Sequence, residues 1–349
     1  MPSTPKPRPN VAQMTPYVPG EQPGPHEQVI KLNTNENPFP PSPRVLEAIR
    51  TVSAETLRRY PAPKADAFRA TAARVHGVTT DMVIAGNGSD ELLAIVMRTF
   101  LGPGEVLAYP DPTYSLYPVL ADAGESRVCR VAWGPGWQLP TSALLAAAPR
   151  AIFFANPNAP TGTLVGKSAV RELALAFAGL VLVDEAYVDF ADESCLELVR
   201  ELPNLILCRT LSKGYALAGL RFGYAIAAPE IIAEMMKVKD SYNCDAVAIL
   251  AATAALDDQA YARQTWQAVR AERTRLESEL GRRGFEATPS QANFVYVRCP
   301  GGKARELYLG LKQRGILVRF FDQPGLADRL RITVGTPLQN DALLRALSS

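Results

Sequence analysis

Between residues 80 and 227, short apolar runs alternate with helix-like stretches, and this rhythm limits the possible folds more than any other feature. Residues 82–85, 106–109, 127–132, 151–155, 180–183, 205–208 and 223–227 read as strands. Residues 89–100, 114–123, 141–148 and 168–178 read as helices, the first starting near Ser89 or Asp90. Strands that are apolar on both faces of the pleat belong inside a sheet covered on both sides. The expected class is therefore α/β, with a mostly parallel sheet between helices. After Pro229 the texture changes: helices over 230–239 and 246–280, a strand over 293–298, a helix over 303–314, two short strands (316–318 and 329–334) and a last helix. The expected organisation is an N-terminal arm (1–40, Pro-rich and with little regular structure), a large domain (41–240) and a smaller α+β domain (241–349).

Composition closes off several functions. Hydrophobic residues make up 47% of the 349 and charged residues 21%, so the chain can build a core and is not disordered. Lys and Arg number 37 against 35 Asp and Glu, a net charge of +2, which leaves no basic field for nucleic acid or an anionic membrane. The five cysteines are scattered without a C-x-x-C pair, which argues against a disulfide framework or a zinc ribbon and fits a reducing, cytoplasmic setting. The two histidines, His26 and His76, have no ligand partners at metal-binding spacing, so no metal is expected. No G-x-S-x-G elbow accompanies them. The opening MPSTPKPRPN lacks an apolar stretch and does not read as a signal peptide. The longest apolar run, 173–183, is too short to span a bilayer.

Four segments carry chemistry. Gly86-Asn-Gly88-Ser89-Asp90-Glu91 lies between a strand and a helix. It suits either a phosphate at a helix N-terminus or an ordinary capped turn. Gly162 to Ser168 looks like a P-loop one residue short, because position 161 is Thr161; a plain loop into a helix fits better. Residues 180–187 place Asp184 at the carboxyl end of a buried strand, where open α/β sheets bind ligands. Thr210-Leu-Ser212-Lys213 runs through a small, apolar stretch to Arg221. A lysine in such surroundings loses its proton readily and can form a Schiff base. The hydroxyls and arginine beside it suit a phosphate.

Taken together these residues resemble the fold-type I aminotransferases that use pyridoxal 5′-phosphate. The further pieces Leu32-Asn-Thr-Asn35-Glu-Asn-Pro38, Arg59-Tyr60-Pro61, Asn156-Pro-Asn158-Ala-Pro160, Asp184-Glu-Ala-Tyr187 and Leu330-Arg331-Ile-Thr-Val-Gly335 resemble the histidinol-phosphate branch of that family. The resemblance implies that Lys213 carries the cofactor and later moves a proton. It implies that Asp184 pairs with the ring nitrogen, Tyr187 hydrogen-bonds the ring O3′ and Tyr114 stacks on the ring. The phosphate would be held by Gly88, the Ser89 and Asp90 N–H groups, Thr210, Ser212 and Arg221, with Tyr60 reaching in from the partner of a homodimer. Tyr17, Asn35, Arg319 and Arg331 would meet substrate.

The implied reaction moves an amino group from a donor to a 2-oxo acid: histidinol phosphate with 2-oxoglutarate, giving imidazole acetol phosphate and glutamate. An aromatic amino acid aminotransferase or a threonine-phosphate decarboxylase would keep the same cofactor. A nucleotide-binding protein is the reading from another class, resting on Gly162–Ser168 and Asp184. One position departs from the family pattern: where Asn precedes Pro-Thr-Gly, this chain has Ala159. Either Asn158 or Asn156 takes over the contact with O3′, the preferred arrangement, or Tyr187 acts alone.

Overall fold

The computed structural model describes residues 4–24 and 27–347. His26 lies outside the described residues. Thirteen strands appear among them, and in chain order these are β1 (Ile30–Lys31), β2 (Val83–Gly86), β3 (Val106–Asp111), β4 (Arg127–Ala132), β5 (Ala151–Ala155), β6 (Leu180–Asp184), β7 (Leu205–Thr210), β8 (Gly223–Ala227), β9 (Glu286–Thr288), β10 (Phe294–Arg298), β11 (Ile316–Leu317), β12 (Arg319–Phe320) and β13 (Arg329–Thr333).

Seven of them form one sheet in the order β2-β8-β7-β6-β5-β3-β4. Strands β3 to β7 pair in parallel, while β8 is antiparallel to both β7 and β2. The connection between β7 and β8 holds only a short 3-10 turn, Ala218–Leu220, instead of the helix a parallel crossover uses. Lys213 sits in that connection.

Alternation along each strand sends successive residues to opposite faces. Ile152, Phe154, Val181, Val183, Leu205 and Leu207 join the core on one face. Phe153, Leu180, Leu182, Ile206 and Cys208 join the core on the other. The sheet is therefore sandwiched, as its apolar strands require.

A second sheet runs β12-β13-β10-β9, all antiparallel. Its core takes Val295, Val297, Leu330 and Ile332 from the strands and Leu276, Leu280, Leu311 and Leu343 from helices. The expected helix over 246–280 is two helices, Ala246–Asp257 and Gln259–Arg282. They break at Asp258, whose carboxylate caps the second helix at the Tyr261 N–H and accepts from the Ser42 hydroxyl at 2.6 Å. The first of these helices is packed by Pro43–Arg50 and Asp66–His76, and its Ala248, Ile249, Ala251 and Leu256 belong to the core of the large sheet. The second crosses to the small sheet.

The N-terminal segment contains one short helix, Pro9–Gln13, tied down where Asn10 donates to the Asp122 carbonyl at 2.8 Å. Further on, β1 pairs in parallel with β11 beside the small sheet. Among the described residues no helix is long and apolar enough to cross a membrane.

Candidate active site

The strand order of the large sheet reverses between β3 and β5, because the chain fills one side with β4 and then the other with β6 and β7. Loops leaving such a switch point diverge and open a crevice at the carboxyl ends of the strands. Tyr114 follows β3, Asn158 follows β5, Asp184 ends β6 and Thr210 ends β7. The fold thus brings these four to one edge.

Asp184 is buried, and its Oδ2 accepts from the Tyr117 hydroxyl at 3.2 Å while Oδ1 accepts from the Ala186 N–H at 3.2 Å. Burial pushes its carboxyl up to about 7. A carboxylate in that position gains from a cationic partner in the crevice. Tyr117 is a site residue that sequence reading missed. The spacing offered a signal, since three residues after Tyr114 is one helical turn on, and the two rings meet edge to face at 5.7 Å. The Tyr114 hydroxyl donates to Asp90 Oδ1 at 3.0 Å, and burial raises its phenol.

Lys213 is half-buried, and its Nζ donates to the Thr34 carbonyl at 2.8 Å. Burial, with the nearby Arg331 charge second, lowers the amine to about 8. A substantial neutral fraction near physiological pH is what a Schiff-base lysine needs.

The helix Gly88–Phe100 begins beside Arg221. Gly88 has φ +79, a backbone conformation that favours glycine, and a Cβ there would crowd Arg221 Nη2 at 2.7 Å. Arg221 donates to Ser212 Oγ at 3.3 Å and pairs with Asp90 Oδ2 at 3.2 Å. Gly223 brings β8 against Ser89 N, where a Cβ would lie at 2.6 Å. A helix N-terminus, an arginine and the Ser212 and Thr210 hydroxyls together make an anion cup.

On the small-sheet side Arg319 and Arg331 stand directly opposite each other on β12 and β13. Like charges in that register repel unless an anion lies between them. Arg331 donates to the Asn33 carbonyl at 3.0 Å, lies over the rings of Phe294 and Phe321, and keeps a buried Nε with no hydrogen-bond partner among the described residues. Burial lowers its guanidinium, with Arg319 adding to the effect. Arg319 donates to the Val18 and Pro19 carbonyls at 3.4 Å. Tyr17, in the same stretch, meets Tyr114 edge to face at 6.0 Å.

Four further residues behave in ways the sequence did not disclose. Asn158 is fully buried, with its amide hydrogens given to the Pro112 carbonyl (3.1 Å) and Thr161 (3.0 Å), and its Oδ1 accepting from Thr113. Asn156 is likewise spent on both backbone groups of Val165. Asn35 turns its amide to Tyr187 and Thr333. Tyr60 does not join the cluster; it is 80% exposed and stacks on Tyr242 at 4.5 Å.

The nucleotide-binding reading fails on geometry. Residues 161–163 are buried with their hydroxyls bonded to one another, and Lys167 Nζ pairs with Glu197 at 2.9 Å. His76 is bonded to the Tyr224 hydroxyl and held neutral by burial. Among the described residues no group of three or more His, Cys, Asp or Glu is placed to hold a metal.

A lysine amine, a buried carboxylate and an anion cup at the edge of an α/β sheet match what pyridoxal phosphate presents: an aldehyde, a ring nitrogen and a phosphate. The profile of the family described as aminotransferase class I and II matches residues 27–347, and the chain belongs to that family. Its relatives include histidinol-phosphate aminotransferase 1 of Trichormus variabilis, 48% identical over 340 residues (97% of each chain), and histidinol-phosphate aminotransferase of Rhodopirellula baltica, 46% identical over 97% of this chain and 93% of the relative. Among solved structures, histidinol-phosphate aminotransferase from Sinorhizobium meliloti in complex with pyridoxal 5′-phosphate superposes with a TM-score of 0.90 at 27% identity, covering 99% of this chain and 97% of the other.

Proposed function

We propose that the chain is a pyridoxal-phosphate aminotransferase that passes an amino group between histidinol phosphate and 2-oxoglutarate. The observation that carries this reading is a readily deprotonated Lys213 with Arg331 near enough to bias it, and Arg319 standing opposite Arg331. Bound pyridoxal phosphate supplies an electron sink. The chain's own side chains do the rest. Asp184 would keep the ring nitrogen protonated, Tyr187 and Tyr114 would fix the ring, and Lys213 would hold and then move the proton at the substrate carbon. Gly88, the Ser89 and Asp90 N–H groups, Thr210, Ser212 and Arg221 would hold the cofactor phosphate. Both substrates end in an anion, the phosphate of one and the second carboxylate of the other, and an arginine fork accepts either. Purified protein loaded with the cofactor should be yellow, lose that band on adding histidinol phosphate alone, and regain it with 2-oxoglutarate. A band indifferent to histidinol phosphate contradicts the reading.

A symmetric homodimer and a cytoplasmic setting belong to the same proposal. The exposed Tyr60–Tyr242 stack and the 66% exposed Leu57 beside it support a self-complementary interface, and five free cysteines suit a reducing compartment. Mixed dimers of Tyr60→Phe and Lys213→Ala chains test the interface. If Tyr60 crosses over, one site takes both defects and the other none, so activity survives. If Tyr60 serves its own chain, every site carries one defect and activity falls.

A further inference from the structure

Residues 33–37 run between the two sheets and touch both sides of the pocket. The Thr34 carbonyl accepts from Lys213 Nζ, and Asn37 Nδ2 donates to the Lys213 and Gly214 carbonyls at 3.0 and 3.2 Å. Between them Asn35 is 1% exposed and holds a left-handed φ of +57, which side chains other than glycine adopt at a cost.

Every polar group of Asn35 is engaged. Its Nδ2 donates to the Tyr187 hydroxyl at 3.0 Å, and its Oδ1 accepts from the Thr333 hydroxyl at 3.1 Å. Its N–H donates to that same threonine at 3.0 Å, and its carbonyl accepts from Asn293 Nδ2 at 2.9 Å. The Thr333 hydroxyl is buried, and among the described residues the acceptor its hydrogen reaches is Asn35 Oδ1, so turning the amide over would strand that hydrogen. Nδ2 therefore faces Tyr187 as a donor. A phenol that accepts there sends its own hydrogen the other way.

We infer that Asn35 is a positioning residue: with Thr333 it fixes the Tyr187 phenol as a hydrogen-bond donor into the cofactor pocket. The inference rests on the reading of Lys213 as the cofactor's anchor. Thr333 belongs to β13 and Asn293 precedes β10, so the setting of a large-sheet tyrosine depends on the small sheet. Asn158 and Asn156 have their amide hydrogens committed elsewhere, and Ala159 packs against Tyr187 in the same small cluster as Ala292 and Phe294. Tyr187 is then the donor that meets the ring oxygen, and Asn35 is what aims it.

The test follows the visible band of the cofactor on Lys213 against pH. The charged groups facing Tyr187 and Lys213 are Arg331, Asp184, Glu36, Arg221 and Asp90, with Tyr17 the neighbouring phenol, and all of them stay in place in the variants used. A donor on the ring oxyanion eases loss of the adjacent nitrogen's proton, so losing the donor raises the midpoint. Asn35→Gly keeps φ +57 at no steric cost and removes only the amide. It should raise the midpoint in the same direction as Tyr187→Phe, by roughly one pH unit or less. Thr333→Val should do so from the small sheet. The double variant Asn35→Gly/Tyr187→Phe should match Tyr187→Phe alone, because Asn35 acts through the phenol. A midpoint unmoved by Asn35→Gly while Tyr187→Phe shifts it, or additive shifts in the double variant, overturns the inference. Absence of any pH-dependent band in the unmodified protein overturns the reading of Lys213 and this inference with it.

Discussion

Replacing Lys213 with alanine is expected to remove the pH dependence of the visible band and nearly all transamination together. In the proposed role the lysine does two jobs, anchoring the cofactor covalently and moving the substrate proton. Loss of a positioned proton carrier alone costs on the order of 10²–10⁴-fold. The cofactor should still bind through the phosphate cup around Arg221 and Ser212, since those contacts do not involve Lys213. Capture of the cofactor by the unmodified protein should also depend on pH with a definite sign. Burial brings the amine down to about 8, and the neutral amine is the nucleophile. The capture rate should therefore rise about tenfold per pH unit below that value and level off above it. A Lys213→Ala protein that keeps the pH-dependent band and its turnover would falsify the assignment.

Arg331→Gln is expected to slow both half-reactions, each by roughly ten- to a hundredfold. The estimate rests on a charged hydrogen bond being worth ~1.5–3 kcal/mol. Arg331 is half-buried, holds one bond to the Asn33 carbonyl, and leaves its buried Nε without a partner among the described residues. An anion completes it, and both glutamate and histidinol phosphate bring one. Single-turnover colour changes measure each half separately, and the resting protein should still form its yellow band. A fall confined to the glutamate half would restrict Arg331 to the carboxylate and move the substrate phosphate to Arg319. No fall in either half would remove Arg331 from substrate binding.

The central strands were legible because burial on both faces leaves an unmistakable apolar run, as in Leu180 to Val183. The direction of β8 was not, since apolar patterning is the same in parallel and antiparallel strands. The helix break at Asp258 was hidden inside a run whose neighbours all favour helix, and only the side-chain cap marks it. The helices Pro43–Arg50 and Asp66–His76 escaped notice, lying outside the alternating stretch that organised the reading.

At the candidate site, Lys213, Asp184 and Arg221 stand out in the sequence by type and spacing, and Tyr187 by the family resemblance. Tyr117 was overlooked because a tyrosine among aromatic neighbours looks like core until its hydroxyl is seen on Asp184. The direction in which Asn35, Asn156 and Asn158 turn their amides depends on partners far away in sequence, such as Thr333 for Asn35. Spacing along the chain carries no information about that.

The central claim is that the pocket is built for histidinol phosphate, and comparison of amino donors tests it most directly. Single-turnover loss of the yellow band should be measured with histidinol phosphate, phenylalanine, tyrosine and threonine phosphate under one set of conditions. The account predicts the highest efficiency with histidinol phosphate, since it brings the anion that the Arg319–Arg331 pair lacks without adding a second one next to Lys213. Preference for phenylalanine or tyrosine, or release of carbon dioxide from threonine phosphate, would contradict it.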